Sequence, residues 1–386
     1  MKHSEAGRAF ARIAATCLLS TLLATQFLPV AASAADLDNS AGKQAVDQPE
    51  GTPRWTVSTE AIVLERLGGV NRTLVERVPG TEPFYGTFTA TGPEAFNSSQ
   101  FDQGFSAGPK IDLIYRGDSG FGAELSYFNI FNQSATNATG PDNPPDWLVM
   151  KAPGIFWQTQ DFPYQAMVWS DSTNLYSAEA DGRLALSSRV TVLAGFRWLQ
   201  LNDNLQGTLS PADLTAPTWK QGCNATNCTL KDVAQAPLGG PAGNYPPFWS
   251  TNTENNLYGL QIGVDGKIFE LGRFSADGQI KIGLFDNNAK QSTGVSLEKV
   301  VYPSSATANA AAFVSEAGLQ LKYQLMDRLA LKVGYEALWL DRVALAPAQI
   351  QETLTTSSSA PVHALGVNSG SSVFFQGVTA GLEYSF

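Results

Sequence analysis

Glu179, Asp181 and Arg183 stand two residues apart in "SAEADGRLAL", and Lys332 and Glu336 stand four apart in "LALKVGYEAL". Even spacing puts ionisable side chains on one face of an extended strand. The same spacing selects Lys110 and Asp112, Glu124, Arg197, Asp265, Asp277 and Lys281, Glu316 and Lys322, and Glu383. Both signs of charge are present. Gathered inside a closed sheet, such groups either form a salt-bridged plug or line a thin water-filled path.

Other chemistry has less to stand on. The chain has two histidines. His3 lies in an expected leader segment, and His363 in "SAPVHALG" has no Ser or Asp at a spacing that suggests a triad. A barrel hydrolase is therefore not favoured, and neither a catalytic residue nor a cofactor is assigned. Cys223 and Cys228 in "GCNATNC" fit a local disulfide stapling a loop in an oxidising compartment, since zinc would need further ligands. Asp142, Asn143 and Asp146 in "PDNPPDW" lack the regular spacing of a calcium loop and read as a solvated turn, so no metal is expected.

Residues 1–34 carry Lys2, Arg8 and Arg12 before an apolar run that ends in "AASAAD", the pattern of a secretory signal peptide. A short periplasmic segment, 35–54, would follow, and then a single domain over 55–386. Asp+Glu exceed Lys+Arg by 35 to 25, which leaves no basic surface for nucleic acid. After the leader no stretch reaches the ~20 apolar residues of a membrane helix. If this chain meets a membrane, strands must cross it.

Strands are what the rest of the sequence offers. In "SAGPKIDLIYR" Ala107, Ile111, Leu113 and Tyr115 alternate with Ser106, Gly108, Lys110 and Asp112. "FGAELSYF" follows after a "GDSG" turn, and the pattern returns in "NLYSAEADGRLAL" with "VTVLAGFRW", in "LYGLQIGVD" with "SADGQIKIGLF", and in the two arms of "FVSEAGLQLKYQLMDRLALKVGYEALWL". With "WTVSTEAIVLERL" and the terminal "GVTAGLEYSF" these make ten strands. A further hairpin in "GIFWQTQDFPYQAMVW" would make twelve.

Short connections (117–120, 187–189, 267–273, 326–328) alternate with long ones (68–104, 132–173, 202–256, 287–312, 342–372). Such alternation predicts an all-β, transmembrane, antiparallel up-and-down barrel with short periplasmic turns and long extracellular loops. Phe105, Tyr127, Trp198, Tyr258, Phe313, Trp339 and Phe374 would form one aromatic girdle. Tyr115, Phe121, Tyr323, Tyr384 and Phe386 would form the other. Val378, Ala380, Leu382, Tyr384 and Phe386 alternate toward lipid on the last strand, which looks like the signal read by bacterial barrel-assembly machinery.

"GFSAGPKIDLIYRGDSGFGAELSYFNI", "VTVLAGFRWLQLND" and "LALKVGYEALWLDRVALAPAQI" resemble the seventh of the numbered β-barrel porin groups, known from planctomycete-type bacteria. The resemblance implies a barrel in the bacterial outer membrane and brings no catalytic motif. Passive diffusion of small hydrophilic solutes is the expected function. The alternative is a non-conducting scaffold or adhesin-like surface protein with a plugged lumen. Partners would be outer-membrane lipid, the assembly machinery and, for a pore, small solutes.

Overall fold

The computed structural model describes residues 53–78, 92–140, 147–150, 164–211, 248–297, 300–354, 363–364 and 366–386. The leader, Asp142, Asn143, Asp146, Cys223 and Cys228 lie outside these residues.

Ten strands form the wall: β1 (Trp55–Leu67), β2 (Phe105–Arg116), β3 (Phe121–Thr139), β4 (Tyr164–Ala185), β5 (Val190–Pro211), β6 (Phe248–Leu271), β7 (Phe274–Leu297), β8 (Val300–Met326), β9 (Leu329–Val343) and β10 (Ser371–Ser385). Consecutive strands pair antiparallel, and β1 pairs with β10, so the barrel closes and leaves no edge. Closure matters in lipid, where an unpaired backbone group has no water to turn to. Backbone bonds between Trp55 and Phe386, at 2.8 and 3.0 Å, fasten the seam. The closed wall has ten strands rather than twelve; of the expected extra hairpin, 154–163 lie outside the described residues and Tyr164–Trp169 form the start of β4.

One end of the barrel carries tight turns. Two of them have two residues each, Met326 to Leu329 and Leu271 to Phe274, the latter through Gly272, whose φ of +60° suits a residue without Cβ. The other end carries the longer connections, except between β7 and β8, where Leu297 pairs with Val300. There Thr73–Val78 pairs with Glu94–Asn97 and with Trp147–Met150 in a small sheet joined to β4.

Lipid chemistry explains the outer face of the turn-end half. Leu260, Ile262, Leu284, Leu321, Val333 and Val378 are all more than 40% exposed there. Aromatics bound this band: Phe105, Tyr127, Tyr258 and Trp339 toward the loop end, Phe121, Tyr384 and Phe386 toward the turn end, all exposed. Paired rings, such as Phe313 with Trp339 (5.8 Å) and Phe274 with Tyr323 (4.7 Å), occur at both levels. On β5 the band runs from Val190 to Trp198 and on β4 from Tyr176 to Leu184. No helix among the described residues is long and apolar enough to cross a membrane.

The strands continue well past this band. β6 has 24 residues, roughly 80 Å of extended chain, against an apolar band about 25 Å tall. Residues 132–139, 164–173, 202–211, 248–256, 287–297 and 300–312 of the expected loops 132–173, 202–256 and 287–312 are therefore wall. The physical reason is a reversal of phase. Beyond Trp198, the outward residues Asn202, Asn204, Gln206 and Thr208 are polar, while Leu201, Leu205 and Leu209 point inward and are buried. Water replaces lipid outside, so the same period of two now reads polar-out and apolar-in.

The expected loop 342–372 also behaves differently. At the end of β9 the register shifts between Asp341 and Val343, and Arg342 takes a left-handed φ of 60°. A bulge of this kind re-aims the chain. Val343, Ala344, Leu345, Ala346 and Ala348 are buried to 1% exposure or less against inward residues of the wall, and a 3-10 helix spans Ala346–Glu352. This segment folds into the barrel rather than over it.

Candidate functional site

The lumen is the candidate site, and it is built in layers. Nearest the turns, Arg183 pairs with Glu124 and Asp265, and Lys322 lies 2.9 Å from Glu383 and 3.3 Å from Asp277. These residues reach one another because alternation aims them all inward and closure brings distant strands face to face.

Next comes a fully buried ionic layer. Lys281 Nζ lies 2.6 Å from Glu179, 3.3 Å from Asp181 and 3.5 Å from Glu124. Gln261 donates to Glu179 at 2.7 Å and to Asp181 at 2.9 Å. Arg197 lies 2.7 Å from Glu316, 3.7 Å from Glu179, and donates through Nε to Ser177 Oγ at 3.0 Å. Lys110 pairs with Glu336, while Lys332 lies 2.6 Å from Glu60 and 3.9 Å from Asp112. The structure thus places every ionisable residue selected from the sequence, from Lys110 to Glu383, on the inward face with an oppositely charged neighbour.

Above the ions lies an apolar layer. Ile62, Leu64, Phe128, Ile130, Leu175, Leu199, Leu201, Leu257, Phe285, Val314, Leu338, Leu340 and Phe375 form one cluster with Val343 and Leu345 of the infolded segment. None is more than 5% exposed. A water-filled bore would leave inward side chains accessible, so these residues fill the cross-section at this level.

Polar clamps hold the infolded segment in place. Asn255 accepts from the Ala344 amide at 2.6 Å and donates to the Ala344 carbonyl at 2.8 Å, which replaces the strand partner that this backbone lacks. Asn287 donates to the Arg342 carbonyl at 3.2 Å. Asp203 accepts from the Ala346 amide at 2.8 Å and lies 2.6 Å from Arg66. Gln349 and Asn368 exchange bonds of 2.8 and 2.9 Å.

Asp171 sits beside this clamp, five residues beyond Tyr176 and so outside the membrane-spanning part of β4. Burial, with the Asp203 carboxylate next to it, pushes its pKa up to about 8, although Arg66 and a bond from Gln103 pull the other way.

Glu60, Arg66, Asp171 and Asp203 are lumen groups beyond those selected from the sequence. Glu60 was legible, since Thr56, Ser58 and Glu60 alternate with Trp55, Val57 and Thr59. Asp171 and Asp203 belong to the phase-reversed region, where polar-out alternation is the usable signal. Of the terminal set, Val378, Leu382, Tyr384 and Phe386 are 43–53% exposed and Ala380 shares their outward face. His363 lies in a short ribbon, His363–Ala364 paired with Thr353–Leu354.

A closed antiparallel barrel with an apolar outer band, two aromatic levels and an ionic interior defines an outer-membrane type of β-barrel protein. The chain belongs to the family described as Putative beta barrel porin-7 (BBP7), whose model matches residues 166–386, more than half of the sequence. No curated protein matches it. Among solved structures it is similar to the outer membrane protease OmpT from Escherichia coli (9% identity, 89% of this chain and 100% of that one, TM-score 0.45). It is also similar to the translocator domain of the autotransporter NalP from Neisseria meningitidis (7%, 98% and 99%, 0.36) and to the Ralstonia pickettii toluene transporter TbuX (9%, 86% and 90%, 0.33). Likeness at these identities and TM-scores bears on neither activity nor substrate.

Proposed function

We propose that this outer-membrane barrel is closed to solutes as folded and serves the envelope as a non-conducting barrel whose extended wall stands clear of the membrane. The observation that carries this reading is the stack of an ionic layer, an apolar layer and the infolded segment 343–350, with inward side chains at a few per cent exposure. Family membership and barrel fold both speak for a role other than catalysis.

Passive diffusion of small hydrophilic solutes is the second reading. One specific observation favours it: the infolded segment is tied to the wall by a few side chains, chiefly Asn255, Asn287 and Asp203, so its withdrawal would remove part of the seal. Purified protein in planar bilayers separates the two. Silence over long recordings supports a closed barrel, and discrete conductance steps in the unmodified protein refute it. Steps that appear only in Asp203→Asn/Asn255→Leu would favour a gated pore.

A further inference from the structure

We propose that the outer wall of the barrel, just beyond the lipid band, binds the neutral sugar chain of outer-leaflet glycolipid. On β4 to β8 the outward residues form rungs that run across the strands. Asn174, Asn202, Glu254 and Lys290 stand directly opposite one another in turn, and Asn204, Asn252 and Ser292 form the next rung up. The two rungs line one depression of about 570 Å³, inside the ~300–1,000 Å³ range of small-molecule sites.

The chemistry of the lining selects the ligand. Amides and hydroxyls both donate and accept, as sugar hydroxyls do. Asn204 donates to Asn252, and Lys290, the one cation lining the depression among the described residues, lies 3.8 Å from Glu254. A phosphate would call for cations without such a neighbour, and an aliphatic ligand for apolar walls. The Asn202 Oδ1 has no hydrogen-bond partner among the described residues and almost no accessible surface, so a rotation of its side-chain amide is what would present this unpaired acceptor to a hydroxyl.

Position agrees with chemistry. From Asn202 to Trp198 of the aromatic girdle is four residues, roughly 13 Å along the strand, and the rung between carries Gln200, Asn256 and Asn288. Aromatic belts mark the membrane–water interface. With the short turns facing the periplasm, the depression lies among the headgroup sugars of the outer leaflet. It is independent of whether the lumen conducts.

The test is a titration of the full-length barrel in detergent micelles, with its Asn side-chain amides isotope-labelled for NMR. The probes are lipopolysaccharide core oligosaccharide stripped of phosphate, the same oligosaccharide with its phosphates, and inorganic phosphate. Saturable shifts of Asn resonances are expected with the stripped oligosaccharide, with affinity lowered at least tenfold in Asn202→Ala/Asn252→Ala and held within about twofold in Lys290→Gln. Both altered side chains lie on the outer wall, and retained strand circular dichroism shows that the variant is folded. Binding unchanged in the double variant, binding of the phosphorylated probes alone, or no shift with any probe overturns the proposal.

Discussion

Arg197→Met tests whether the ionic layer holds the barrel together. Arg197 is 1% exposed, lies 2.7 Å from Glu316, bonds Ser177 and stands 5.9 Å above the Phe128 ring. Methionine keeps most of the volume but leaves the buried Glu316 carboxylate without this cation. Removing one partner of a buried pair costs about 3–5 kcal/mol, because the desolvated charge left behind has nothing to offset it. That is about two to three and a half powers of ten in the folding equilibrium. By contrast, the exposed pair of Arg54 with Asp118, at 2.6 Å, sits in solvent, and its loss costs at most about 1 kcal/mol. The assay is equilibrium urea unfolding of the protein in lipid vesicles, followed by tryptophan fluorescence. Arg197→Met/Glu316→Leu should recover most of the loss, since replacing both charges with apolar groups is often neutral. A single variant costing less than about 1 kcal/mol, or a double variant as unstable as the single, refutes the reasoning.

Three further outcomes are expected. Folding favours uncharged Asp171, whose pKa is raised from 3.8 to about 8; its contribution is complete below pH 4 and lost as pH rises through about 8. Asp171→Asn should therefore flatten the fall in stability across that window, and an unaltered pH profile would count against the raised pKa. Gly207→Val puts a Cβ 2.8 Å from the buried Trp169 ring and should cost about 1–3 kcal/mol by overpacking, with a shift in tryptophan emission; an unchanged melting curve would contradict that packing. Phe386→Ser should lower the amount of barrel inserted in the outer membrane of expressing cells severalfold. Its refolding in detergent should survive, because the seam at this position is bonded through backbone to Trp55; equal membrane levels would remove the assembly role.

The membrane-embedded half was legible in the order of residues alone. Alternation is local, so the period of two in "KIDLIYR" or "LKVGYEALWL" decides which side chains meet lipid and which meet the lumen, whatever the rest of the chain does. It therefore yields the strands, the aromatic levels and the inward direction of Lys110, Arg197 and Lys332. Once water takes the place of lipid outside, the same period carries opposite polarity, and a reading tuned to apolar-out residues takes the upper wall for loops. Which charges pair was left to the closed fold, because Lys110 meets Glu336 and Arg197 meets Glu316 across a barrel whose closure no local pattern encodes. That fold alone also sends 343–350 inward: one bulge at Arg342 turns the chain, and amides from β6 and β7 receive its backbone, long-range contacts that the apolar run "VALAPAQI" does not specify, since apolar residues call for burial without saying where.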